Sequence, residues 1–76
     1  MDLTEIIAAA GFSVVTGHSR LNAALNMGIE VHAVDNSGMV YRINLKELVL
    51  TIEEAPDLEP NGGMIILAKM APPTLH

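Results

Sequence analysis

"IEVHAVDNSGMVYRINL", residues Ile29 to Leu45, is the stretch that decides how this chain folds. Ile29, Val31 and Ala33 alternate with Glu30, His32 and Val34, the two-residue period of a half-buried strand. "DNSG" (Asp35–Gly38) then concentrates four turn-forming residues. Alternation resumes in "MVYRIN", with Met39, Tyr41 and Ile43 opposed to Val40, Arg42 and Asn44. Two alternating runs around a turn signal predict a β-hairpin.

Upstream, "DLTEIIAAAG" predicts a short helix. Asp2 stands at its cap with Glu5 three residues later, and Leu3, Ile6, Ile7 and Ala10 share one face before Gly11 stops it. "FSVVT" (Phe12–Thr16) is β-branched and reads as an extended link or a first strand. In "TGHSRLNAALNMG" (Thr16–Gly28), Leu21, Ala24 and Leu25 recur at helical spacing and Gly28 suits the position just past a helix end. Thr16 or Ser19 is the expected cap of this second helix.

Downstream, Leu45, Leu48, Val49 and Ile52 have helical spacing, yet "LVLTIEE" is β-rich. A turn at Leu45–Glu47 followed by a strand over Leu48–Glu54 is preferred. Residues 55–63 form an acidic loop rich in proline and glycine. "GMIILAKM" predicts a last strand, and its continuous apolar run suggests cover on both faces or a place in an interface. Residues 71–76 read as a flexible tail. The whole, residues 1–76, is one small α+β domain: two short N-terminal helices, then an antiparallel sheet of three to four strands, with an SH3-like half-barrel as a closed version.

Composition narrows what such a domain can do. Seventy-six residues without cysteine can hold no disulfide framework and no thiolate metal site. His18, His32 and His76 lack zinc-like spacing, so neither a metal nor a cofactor is expected. Half the residues are hydrophobic, only 17% are charged, and the mean hydropathy is +0.38. A body this small hides so much aliphatic surface most easily against a copy or a partner, so a homo-oligomer, first of all a dimer, is expected. The net charge of −5, with nine acids against four scattered cations, disfavours direct nucleic-acid binding. The acidic "MDLTEII" start lacks a basic leader region, and the run "MIILA" is too short to span a bilayer, so a cytoplasmic chain without membrane contact is expected.

Two stretches are candidates for chemistry. "GFSVVTGHS" (Gly11–Ser19) superficially resembles a phosphate loop, but its glycines are one residue too far apart, His18 replaces the lysine, and a helix precedes it where a strand is required. His18 and Ser19 are adjacent and lack a third orienting group, so no nucleophile pair forms and no catalytic residue is assigned. A binding role for His18, Ser19 and Arg20 survives, since a helix start attracts anions and arginine adds paired donors. The second candidate is the acidic set Glu53, Glu54, Asp57 and Glu59. Its prolines preclude a calcium loop, but an acidic rim beside an apolar strand suits a partner-binding loop. A helix-turn-helix is excluded by a long connection and a single cation, Arg20, on the second helix.

These features favour a small, acidic, non-enzymatic interaction protein that binds and occludes a partner protein. A stoichiometric inhibitor of a host system, of the kind phages and mobile elements carry, fits the size and charge. Two alternatives stay open. One is a binder of a small anionic ligand or nucleotide at the second helix's start. The other is a structural assembly subunit that adds its last strand to a neighbour's sheet.

Overall fold

A computed structural model describes residues 3–70. The capping role expected of Asp2, the 71–76 tail and His76 lie outside the described residues. In chain order the elements are α1 (Thr4–Ala9), β1 (Phe12–Thr16), α2 (His18–Asn26), β2 (Val31–Val34), β3 (Val40–Lys46), β4 (Val49–Glu54) and β5 (Ile65–Lys69). The five strands form one sheet in the order β1-β5-β2-β3-β4, curled into a half-barrel. The chain is therefore α+β, as its patterning implies.

The hairpin forms as the sequence predicts, with Val31 opposite Ile43 and Val34 opposite Val40. Val31, Ala33, Tyr41 and Ile43 are buried. Ile29 departs from the alternation and stays half exposed, because β2 begins only at Val31. Asp35 closes the turn: its Oδ1 accepts from Ser37 N (2.8 Å), Ser37 Oγ (2.6 Å) and Met39 N (3.1 Å), while Tyr41 donates its hydroxyl to Oδ2 at 2.7 Å. A carboxylate that accepts so many bonds is satisfied although it is buried.

Several expectations are corrected. The helices do not both precede the sheet, because "FSVVT" is a strand between them. The sheet has five strands, and it is mixed: β5 runs parallel to β2 while pairing antiparallel with β1. The turn after β3 lies at Glu47–Leu48, two residues tight, because β3 continues through Lys46 and pairs it with Val49. The last strand is not covered on both faces. Ile65 and Leu67 are buried while Ile66 between them is exposed, so it alternates despite its apolar run.

One face of the sheet packs under both helices. Leu3, Ile7, Leu21 and Leu25 meet Val31, Ile43, Ile65 and Leu67 in the main core. Each such side chain contributes roughly 1.5–3 kcal/mol by leaving water. The chain's one phenylalanine and one tyrosine meet here edge to face, with Phe12 and Tyr41 ring centroids 5.0 Å apart. A smaller cluster on the other face joins Val40, Ala55 and Met64, packed by Val34 and Leu58, so the 55–63 loop is anchored rather than free. Ala55 N donates to Val40 O at 2.8 Å and fixes its start. At the end of α2, Gly28 takes φ 77° and the bonds Gly28 N to Leu25 O and Ile29 N to Ala24 O close a Schellman motif.

Candidate functional site

The candidate triplet on α2 is divided by the helix that carries it. Neither Thr16 nor Ser19 caps α2. Gly17 is the N-cap at φ 91°, and no side-chain cap bond forms. A Cβ on Gly17 would stand 2.6 Å from Ile65 Cδ1 and would have to accept the left-handed φ, so the helix start lies close over β5 at a position that favours glycine. His18 turns toward α1, where Thr4 Oγ1 meets its Nε2, and Asn22 Nδ2, one turn further along α2, approaches the same nitrogen. Asn22 Oδ1 also accepts from Leu3 N at 2.9 Å, so α2 supplies an acceptor at the start of α1. Ser19 is exposed. Arg20, two positions from His18 and hence on another side of the helix, lines a cleft with Ala24, Glu30, His32, Asn61 and Met64. His18 and Arg20 do not converge.

That cleft has a volume of about 250 Å³ and opens where β2 and β5, paired only at Ala33–Ile65 and Val34–Ile66, part company. Glu30 and His32 meet in a hydrogen bond on its rim, Nε2 to Oε2 2.9 Å. The hydrogen bond from His32, aided by one from Asn44, holds the Glu30 carboxyl below the usual range. The wall thus carries an acid as well as Arg20, and the cleft is smaller than the roughly 300–1,000 Å³ usual for small-molecule sites.

The acidic set is also spread out. Glu53 and Glu54 end β4, whereas Asp57 accepts from Arg42 Nη2 at 2.6 Å across the outer face of the sheet. That bond, with the guanidinium charge, lowers the Asp57 pKa. Glu59 is exposed. Among the described residues no three His, Cys, Asp or Glu gather as a metal site, and no helix is long and apolar enough to cross a membrane.

A third surface escaped the sequence. The β3–β4 hairpin runs past the end of β2, and at its tip Glu47 and Leu48 adopt φ 52° and φ 65°. Leu48 is 75% exposed and Val49 61%. Across from them, the corner after α2 exposes Met27 (74%) and Ile29 (51%). Between tip and corner, Gly28, Leu45, Lys46 and Val49 line a groove of about 720 Å³. Two-residue hairpin turns with both residues at positive φ favour Asn-Gly, and a left-handed leucine costs about 1–2 kcal/mol. The sequence implies a turn at Leu45–Glu47, but neither Glu47 nor Leu48 is a turn former, so nothing local fixes its exact place or its positive-φ backbone. The chain matches no protein-family model, no curated protein and no solved structure.

Proposed function

We propose that this chain is a non-enzymatic interaction protein that docks on, and occludes, a partner protein through the tip of its β3–β4 hairpin. The observation that carries this reading is Leu48, a large apolar side chain left in water on a strained backbone. Strain held at an exposed site, where a common turn sequence would relieve it, is more readily explained by binding than by folding. The tip has the anatomy of an interface: apolar Leu48 and Val49 at its centre, with charged Lys46 and Glu47 beside them. The net charge of −5 favours a partner with a basic surface around an apolar socket.

The cleft beside Arg20 supports the anion-binding alternative less well, since Glu30 would face any anion there. The position of β5 in the interior of the sheet leaves no free edge for the last strand to lend to a neighbour.

The test sets wild type beside Glu47→Asn/Leu48→Gly. The variant relieves the turn and gains about 1–2 kcal/mol in urea unfolding. Yet it should lose the proteins that immobilised wild type retains from a lysate, and salt should weaken the wild-type capture. A variant that is more stable and retains the same proteins refutes the reading.

A further inference from the structure

The sheet has two edges, and they are built differently. β1 is interrupted by an irregularity between Val14 and Thr16. Bulges of this kind twist an edge and discourage further pairing. β4 is regular through six consecutive pairs with β3 and contains no proline and no lysine from Val49 to Glu54. Among the described residues no strand pairs with its outer side.

The hydrogen-bond parity of that outer side follows from the register. Ala55 N donates to Val40 O, so Ala55 faces β3, and by alternation so do Glu53, Thr51 and Val49. The N–H and C=O groups of Leu50, Ile52 and Glu54 therefore point away from the sheet. The side chains of Leu50 and Ile52 lie half buried at the margin of the main core, beside Leu45. A strand added here would satisfy those backbone groups and extend the apolar face.

We infer that the strand is β4 of a second copy, paired antiparallel about a twofold axis at Thr51. A twofold centred on any residue of β4 matches the free backbone groups, and four such centres, Leu50 to Glu53, lie inside the strand. Centring on Leu50 sets Glu47 against Glu53 of the second copy, and centring on Glu53 sets that acid against itself. Centring on Ile52 sets Leu50 against Glu54. Centring on Thr51 opposes no like charges and is the register that places Leu50 against Ile52, twice, on the inner face, where centring on Ile52 would face Leu50 with an acid. Thr51 then meets its own copy and Val49 meets Glu53 on the outer face. The product is one continuous sheet twice as wide, whose remaining edges, among the described residues, are the two irregular β1 strands.

Thr51→Cys tests this in a chain that has no cysteine of its own. Thr51 is exposed, so the reduced variant should keep the wild-type circular dichroism spectrum. A non-hydrogen-bonded antiparallel pair brings Cα atoms to about 4.5 Å, within disulfide reach. Under mild oxidation the variant should become a disulfide-linked dimer at least tenfold faster than Ser13→Cys, placed on the opposite edge. In sedimentation, Thr51→Lys and Thr51→Glu should each be monomers and should form a dimer when mixed. The same cross-link should form when Leu48→Gly is added, so the edge is read independently of the hairpin tip. Equal cross-linking at Thr51 and Ser13, or a wild type that stays monomeric at millimolar concentration, overturns the inference.

Discussion

Replacing Asp35 by asparagine should make the protein measurably less sensitive to acid. Burial by itself would raise the pKa of this carboxyl, but the bonds from Ser37, Tyr41 and Met39 outweigh burial and bring it down to about 2 from 3.8. A depressed carboxyl contributes stability that is present above its unfolded value, near 3.8, and lost as pH falls through its folded value, near 2. Somewhat under two units at 1.36 kcal/mol each gives an upper figure of about 2.5 kcal/mol. Asp35 itself is covered, but the turn it closes borders solvent, and screening there trims this to about 1–2 kcal/mol. Urea unfolding followed by circular dichroism at a series of pH values between 7 and 2 reads the effect. Wild type should lose that 1–2 kcal/mol between pH 5 and pH 2, beyond what the variant loses. Asp35→Asn keeps the shape but weakens the acceptor, so it should start lower by a similar amount at pH 7 and converge on wild type in acid. Parallel pH curves for the two proteins would refute the assignment.

The remaining predictions follow from the same packing. Burial first, then the bond to Asp35, raises Tyr41 to about 12 from 10.0. Its stabilisation is complete below pH 10 and lost as pH rises through 12. As the chain has one tyrosine, phenolate absorbance should show a midpoint near 12 in the native protein and near 10 in urea, and a native midpoint near 10 would break the buried pair. Gly17→Ala should cost about 2–3 kcal/mol, through a left-handed backbone and a Cβ pressed on Ile65, whereas Gly28→Ala, with nothing within 4 Å, should cost about 1 kcal/mol. Equal losses in urea unfolding would show that contact with Ile65 plays no part.

The candidate site was legible only in pieces. Arg20 was marked because a helix start beside a cation is a local pattern, and it does line a cleft. His18 was marked by the same pattern and instead joins α2 to α1, because its side chain falls on the face turned toward Thr4. Asp57 stood out as one acid in a run, but its cross-sheet partner Arg42 is 15 residues away. That the hairpin tip is exposed carried no signal, since exposure of Leu48 is a statement about what the fold leaves uncovered.

By itself the sequence determined what depends on near neighbours: the Ile29–Leu45 hairpin, the apolar stripe of α2, the glycine stops at Gly11 and Gly28, and a loop that breaks the chain after β4. Each rests on periodicity or on backbone preference within a few residues. Only the tertiary structure decided how these pieces pair. β5 enters between β1 and β2, makes the sheet mixed and buries a strand whose sequence alone allowed several places. It also decided which edges remain open. Strand order is set by how distant apolar faces share one core, and no local pattern carries that information.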